Sequence, residues 1–287
     1  LIKGPYKSRS LASIVSEVRN LAALGIKEIN LVSQDSTYFG REHGLKTGLV
    51  RLLDQLMAVK GIKWIRWLYG YPEEITDDLL EIMNEEKICP YFDLPFQHAS
   101  ATVVKKMGRS ITAGDALRLI EKIRNRVKGA VIRTSLIVGF PGEGLKEFSE
   151  LKQFVREARF EHLGVFTYSP EPGTRAFNLE ETVSLAEKEA RRQELMAIQK
   201  EISRNFYRTF KGQTLEVLLE DQEEEQAEKG VLYGRARFQA PEVDGQVIVK
   251  DKKRLLAAGK KPDFMLVKIS GTRTYDLVGE ALDVEVI

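Results

Sequence analysis

The 287-residue sequence holds a single cysteine, Cys89, and only three histidines, His43, His98 and His162. One thiol excludes a disulfide framework. So few imidazoles exclude the paired His and carboxylate clusters of a metal hydrolase, and no Ser or Cys stands in the setting of an activated nucleophile. No apolar stretch approaches the roughly eighteen residues of a membrane-spanning helix and no secretory signal is recognisable, so a cytoplasmic protein is expected. An excess of one charge is missing too. With 44 Lys and Arg against 42 Asp and Glu, the chain has no global electrostatic footprint of a nucleic-acid binder.

What charge there is lies unevenly. From Gly212 onward there are 15 acidic and 11 basic residues, so a basic body carries a mildly acidic tail. Cys89 stands before Pro90 at the start of a strand-like run and reads as a small packed residue rather than a reactive thiol. The chain opens on Leu1-Ile2-Lys3-Gly4 without an initiator Met. A longer protein, or the ordered part of one, is the expectation.

The length suits a barrel of about 200 residues with a small appendage, here 1–211 and 212–287. Apolar residues at Leu11, Ile14, Val15, Val18, Leu21 and Leu24 predict a helix over Ser10–Leu24, closed by Gly25. Further helices are predicted near Leu45–Val59, Thr76–Glu86, Thr112–Val127 and Lys146–Ala158. Strands are predicted between them at Glu28–Ser33, Lys63–Leu68, Tyr91–Leu94, Ala130–Val138 and Leu163–Thr167. Thr112 and Asp115 have capping-box spacing, with Asp in place of the usual Glu. This alternation means a parallel sheet with right-handed crossovers, either an open doubly wound sheet or a barrel. The barrel is favoured because polar clusters follow five successive strands, whereas an open sheet gathers its site at one switch point. The fold class is therefore α/β, a partial parallel (β/α) barrel that lacks the strand due before its first helix. A charged helix over Ser184–Phe210, with an apolar stripe of Leu195, Ile198, Ile202, Phe206 and Phe210, leads to five short strands of a small antiparallel OB-like barrel. Such barrels often bind RNA. The acidic run Glu220–Glu228 argues against that here, and the basic run Lys250–Arg254 reads as a solvated loop.

In parallel barrels the working groups sit past the carboxyl ends of the strands. That face carries Ser33, Gln34 and Asp35; Tyr69 and Tyr71; Gln97 and His98; Gly139, Gly142 and Glu143; and Tyr168 and Glu171. The set is rich in amide, hydroxyl and glycine, which suits a polar cofactor that brings its own chemistry. Gly139 to Gly142 also reads as a tight turn and nothing more, and His98 as a satisfied buried imidazole. Arg133, in mid-strand, needs a carboxylate partner from protein or ligand.

In this order the segments LVSQDSTYFG (31–40), WIRWLYGYP (64–72), CPYFDLPFQHAS (89–100), RTSLIVGFPGE (133–143) and GVFTYSPEPGT (164–174) resemble the radical S-adenosylmethionine methylthiotransferases. GPYKSR (4–9) resembles the stretch just downstream of that family's cluster-binding cysteine loop. The tail is similar to a TRAM domain, with APEVDG (240–245) and YDLVGEA (275–281) among the matching segments. Gln34-Asp35-Ser36-Thr37 and APEVDG resemble the branch that modifies the β-carbon of an aspartate in the twelfth small-subunit ribosomal protein. The branch that acts on a tRNA adenosine typically begins Gln-Asn and has a more basic TRAM domain, and the negative tail suits a basic protein substrate better.

The resemblance implies S-adenosylmethionine and two 4Fe-4S clusters in the full-length enzyme. One cluster reduces the sulfonium to give a radical that takes hydrogen from an unactivated carbon, and sulfur comes from the second. It also implies a ribosomal protein as substrate, RNA contact through the TRAM domain, an electron donor and no membrane. By match, Ser33 and Gln34 face the methionine end, Arg133 its carboxylate or the ribose, and Gly139 admits the adenosine to the backbone. Gln97, His98 and Tyr168 line the pocket, and Glu143 caps the next helix through its dipole. The family's six cluster cysteines are absent, and Cys89 cannot replace three ligands. They are expected upstream of Leu1, and the chain alone is expected to be inactive. Two rivals share the residues: the tRNA-modifying branch, and a non-catalytic barrel joined to an OB-like binding module.

Overall fold

The computed structural model describes residues 4, 6–220, 231–250 and 262–282. The acidic run after Glu220, the basic run after Lys250 and the last residues beyond Leu282 lie outside them. The chain divides into two compact units, Leu1–Gln199 and Lys200–Ile287.

The first unit alternates as its periodicity predicts. Helix α1 (Leu11–Ala23) starts at Ser10, whose hydroxyl accepts from Ser13 N (3.2 Å). Strand β1 (Glu28–Leu31), helix α2 (Gly48–Met57) and strand β2 (Trp64–Trp67) follow. The period of α2 aims Leu49, Leu52, Leu53 and Leu56 inward. Fully burying a Leu of this kind stabilises by about 1.5–3 kcal/mol. Helix α3 (Asp77–Ile82) is shorter than predicted. Asn84 stops it, donating to Leu80 O (3.1 Å) and Arg126 O (3.0 Å) while accepting from Lys128 N (3.2 Å). Strand β3 (Tyr91–Asp93) is followed by α4 (Ala101–Lys106), a six-residue helix too short to show a period in the sequence. Then come α5 (Ala113–Arg126), β4 (Val131–Val138), α6 (Leu145–Ala158) and β5 (His162–Thr167). Thr112 Oγ1 caps α5 by accepting from Asp115 N (3.1 Å), and the Asp115 carboxylate accepts from the Thr112 hydroxyl.

All five strands run parallel and neighbour each other in chain order. β1 pairs with β2, β3 with β4, and β4 with β5. Ile65 joins β2 to the segment leading into β3, accepting from Cys89 N (2.9 Å) and donating to Lys87 O (2.8 Å). A doubly wound sheet would reverse its order at a switch point; an order that never reverses is the wall of a partial barrel. Along β4, Thr134, Leu136 and Val138 are buried, while Arg133, Ser135 and Ile137 are half-buried on the other face. Cys89 is fully buried at the amino end of β3.

Helix α7 (Leu185–Arg208) departs from the predicted stripe. Its buried positions are Lys188, Arg191, Leu195, Gln199, Ser203 and Tyr207, whereas Ile198, Ile202, Phe206 and Phe210 are half-buried. Hydrophobic period misses such a face because polar side chains occupy most of it.

The second unit holds strands β6 (Thr214–Leu219), β7 (Val231–Arg235), β8 (Val247–Lys250), β9 (Phe264–Thr272) and β10 (Leu277–Ala281) in a closed barrel of order β10-β8-β7-β6-β9. Four pairs are antiparallel; β8 and β10 run parallel, which refines the antiparallel expectation. Phe238 stacks on Phe210 (4.4 Å) and meets Phe206 edge-on (5.6 Å) at the end of α7.

Candidate functional site

The carboxyl ends of the five strands are tied into one hydrogen-bonded rim. Past β1, Asp35 opens a short 3-10 turn over Ser36–Tyr38 by accepting from Thr37 N (2.9 Å) and Tyr38 N (3.3 Å). That turn leans on the end of β2: Ser36 N donates to Tyr69 O (2.8 Å), Ser36 Oγ to Leu68 O (2.6 Å), and Tyr71 N to Thr37 Oγ1 (3.2 Å). The end of β2 hangs on β3 through Tyr69 N to Asp93 Oδ2 (3.2 Å) and Gly70 N to Asp93 O (2.9 Å). Beyond β3 the chain runs along β4. Thr134 Oγ1 donates to Leu94 O (2.8 Å), Gln97 N to Ser135 O (3.0 Å), and Ile137 N to Gln97 O (2.8 Å). Tyr168 N donates to Val138 O (2.8 Å) and brings in the end of β5.

Two rim residues other than glycine are left-handed, Tyr69 (φ 59°) and Gln97 (φ 69°). Each conformation costs about 1–3 kcal/mol and persists only where its surroundings dictate it. Here both backbone polar groups of each residue are held, those of Tyr69 by Asp93 and Ser36 and those of Gln97 by Ser135 and Ile137. Tyr69 keeps its ring 45% exposed at the mouth.

Below the rim the barrel interior is polar. Register places Asp93 beside Arg133, with Arg133 Nη1 3.9 Å from Asp93 Oδ1. This is the carboxylate that Arg133 requires. Lower still, Arg66 and Glu28 pair at 3.2 Å with side chains 0% and 4% exposed, and the guanidinium lies 4.7 Å from the Tyr91 ring centre. A cavity of about 650 Å³ follows the free edge of β1 and reaches the rim, lined among others by Tyr6, Asn30, Ser33 and Ser36.

The residues predicted from sequence are distributed among three roles. Ser33 is half-buried with its hydroxyl 3.2 Å from Ser36 Oγ, Gln34 is exposed, and Gln97 and Arg133 are half-buried. His98 is buried: Nδ1 accepts from Ser100 N (3.0 Å), which places a ring hydrogen on Nε2, 3.2 Å from Glu143 Oε2. Tyr168 is also packed, its hydroxyl donating to Ala176 O (3.0 Å), and burial followed by the nearby Glu181 and Glu171 raises its pKa. Glu143 is not the cap of α6. Glu147 takes that place by accepting from Gly144 N (3.0 Å), while Glu143 is buried and accepts from Gly139 N (2.8 Å), His98 and Arg191 Nη1 (2.7 Å). Burial pushes its carboxyl up, but the hydrogen bonds from His98 and Arg191 outweigh it, and its pKa is lowered.

Gly139 turns at φ 73°, and a Cβ there would overlap Lys188, 2.9 Å from its Cδ and nearer still to its Cγ. Gly108 has the same φ of 72° and open space around it. Gly139→Ala is therefore expected to cost about 1–3 kcal/mol more than Gly108→Ala, the overpacking part of the penalty. Urea denaturation of the two variants measures it; equal losses would mean that Lys188 simply moves aside.

Sequence reasoning missed Asp93, the Glu28–Arg66 pair, Lys188 and Arg191. For Asp93, Glu28 and Arg66 the available signal was an ionisable residue inside a strand, which must find a partner when buried; Lys188 and Arg191 lie on α7 and carry no such signal. Among the described residues no cluster of His, Cys, Asp and Glu could hold a metal ion. The carboxylate–imidazole pair of Glu143 and His98 is closed off from solvent, with both side chains 0% exposed. Among the groups named on this face, the hydroxyl of Ser33, the amides of Gln34 and Gln97, the guanidinium of Arg133 and the carboxylate of Glu171 keep some exposure.

Comparison with known proteins agrees with this geometry. Residues 2–155 match the family described as the Radical SAM superfamily, and residues 212–282 match the TRAM domain. The chain is 48% identical over 286 residues to an Aquifex aeolicus protein named ribosomal protein uS12 methylthiotransferase RimO, covering 98% of this chain and 65% of that protein. It is 43% identical over 280 residues to the protein of the same name from Caldanaerobacter subterraneus subsp. tengcongensis, covering 97% and 62%. The chain thus spans less than two thirds of these relatives. Coproporphyrinogen III oxidase (HemN) from Escherichia coli, a radical SAM enzyme, superposes with a TM-score of 0.55 at 20% identity, covering 67% of this chain and 45% of that one. No helix among the described residues is long and apolar enough to cross a membrane.

Proposed function

Because the chain belongs to the Radical SAM superfamily, we propose that it forms the barrel and TRAM parts of an S-adenosylmethionine-dependent methylthiotransferase that modifies an aspartate of ribosomal protein uS12. The observation that carries the reading is the rim itself: five strand ends locked together, offering donors and no acid–base pair. S-adenosylmethionine, when bound, would supply the chemistry that breaks an unactivated C–H bond; the chain's task is to bind, orient and exclude water.

The donor set fits the cofactor's amino-acid and nucleoside ends. Ser33 and Gln34 hold the methionine end, and Arg133 its carboxylate or the ribose. Gln97 lines the pocket from its strained position. His98 and Tyr168 act from behind the wall, and so does Gly139, whose N–H is taken by Glu143 and whose Cα is covered by Lys188, so that it shapes the turn beside the adenosine. The clusters do not fit the residues of this chain. They need thiolates, and the single Cys89 is buried at the opposite end of β3 from the rim. Thiolate ligands would have to come from polypeptide other than these 287 residues, which alone are inactive. The working division is a barrel body over 1–211 and a TRAM module over 212–287.

A protein substrate is favoured over tRNA by the outer face of the small barrel. Register aligns Lys250, Glu280 and Lys268 side by side on β8, β10 and β9, so a carboxylate interrupts the basic row that RNA binding needs. RNA contact through this domain and an electron donor remain parts of the proposal as further partners. The test is anaerobic reconstitution of the full-length protein with iron and sulfide, then S-adenosylmethionine, reductant and isolated uS12, read by intact mass. A methylthio increment on one aspartate supports the reading. Deoxyadenosine without the increment moves the substrate to tRNA, and neither product from a well-reconstituted protein removes the enzyme reading.

A further inference from the structure

Helix α7 presents an unusual buried face. Lys188 and Gln199 are each 1% exposed and Arg191 6%, and each of the three gives at least one donor to the carboxyl-end loops or the approach to a strand. Lys188 lies across Gly139, donates to Tyr168 O (3.1 Å) and pairs with Glu181. Arg191 Nη1 donates to Glu143 O (2.9 Å) and Glu143 Oε1 (2.7 Å), and its Nε donates to Glu187 Oε1 (2.9 Å). Gln199 donates to Phe160 O (2.8 Å) just before β5. Well-packed apolar residues would hold a helix to a barrel at least as strongly as buried ions do, because they avoid desolvating charge. What the polar face adds is direction. It fixes where particular loop carbonyls, and one particular carboxylate, must sit.

We propose that Lys188 and Arg191 are positioning residues for the cofactor site, acting through Glu143 and the peptide of Gly139 to set the turn that follows β4. The chain of contacts is short. Arg191 orients the Glu143 carboxylate, whose Oε2 accepts the Gly139 N–H at 2.8 Å. Lys188 closes the same turn from the Cα side and ties it to Tyr168 at the end of β5. Neither residue needs to touch the ligand. Loss of either leaves the fold's strands in place but frees the turn on which the adenosine rests. This inference depends on the reading of the rim as an S-adenosylmethionine site and extends it to residues on a helix outside the rim.

The experiment compares wild-type full-length protein, anaerobically reconstituted, with Lys188→Met and Arg191→Lys. Met keeps the length of Lys without its charge, and Lys keeps the charge of Arg without its fork. Three quantities are read: amide exchange of the segment 137–143 without ligand, equilibrium binding of S-adenosylmethionine, and KM for S-adenosylmethionine against KM for uS12. The expected result is about tenfold faster exchange at Gly139 and about tenfold weaker cofactor binding, the size of one lost hydrogen bond to a charged group. Exchange in α2 and α5 and the KM for uS12 stay as in the wild type. Faster exchange with unchanged cofactor affinity overturns the proposal, as does a uniform loss across both KM values. If Arg191→Lys does not fold, Lys188→Met decides alone. Wild-type protein that binds no S-adenosylmethionine overturns the functional reading and this inference together, whereas normal wild-type binding with unaffected variants overturns this inference only.

Discussion

Glu143→Ala is expected to lower the stability of the barrel unit by about 3–5 kcal/mol, because it leaves the Arg191 guanidinium, its side chain only 7% exposed, with Glu187 as its remaining carboxylate and takes the acceptor from two further buried donors. In a unit of this size that corresponds to a fall in melting temperature of roughly 6–20 °C, measurable by calorimetry on the full-length protein. Gly139 N and His98 Nε2 lose their acceptor together, and Arg191 Nη1 keeps only the Glu143 carbonyl. The pH dependence follows from the lowered pKa of Glu143. A carboxyl depressed in the folded state stabilises fully above its unfolded value, which is near 4.5, and the contribution disappears as pH falls through the folded value. The gap between wild type and Glu143→Ala should therefore be widest near neutrality and narrow below about pH 4.5. A gap that stays constant down to pH 3 would show that the charge of Glu143 contributes nothing and that only its shape matters.

The second large effect is expected in the barrel interior. Glu28→Ala leaves Arg66 buried with its nearest carboxylate gone and should cost about 3–5 kcal/mol in urea denaturation. Replacing both partners with Met should cost clearly less than that single change, because no charge is then left behind. The Tyr91 face, 4.7 Å from the guanidinium, softens the single loss without cancelling it. A single variant within about 1 kcal/mol of wild type would mean that water reaches Arg66 and screens it. A double variant worse than the single would mean that the pair does more than neutralise itself, and would point to a ligand in the interior.

Most of the fold was legible because strands and helices in this chain carry their own periods. Ser10, Thr76 and Thr112 cap helices where the pattern says helices begin, and the five strands of the body lie within two residues of their predicted bounds. The choice of barrel over open sheet was also legible, since polar segments at every strand end imply a common rim. The failures were local. Asn84 ends α3 through bonds to Arg126 and Lys128, more than forty residues away, which no helical period can announce. The buried face of α7 was misread because its polar residues are balanced by loop carbonyls that only folding brings near.

The amino-acid sequence by itself determined the order of elements and the types of side chain gathered at the carboxyl ends of the strands, because period, turn chemistry and side-chain type are local properties. Tertiary structure alone decided which of those groups stay open and which are consumed. Gln97 is left-handed where Ser135 and Ile137 of β4 take both of its backbone polar groups, and Tyr69 where Asp93 and Ser36 take its two. His98 and Glu143 spend their capacity on each other, on Gly139 and on Arg191, forty-eight residues further along the chain than Glu143. Arg133 found Asp93 through strand register. Each of these outcomes turns on a partner supplied by a distant segment, and a buried charge or donor takes its role from that partner rather than from its neighbours in sequence.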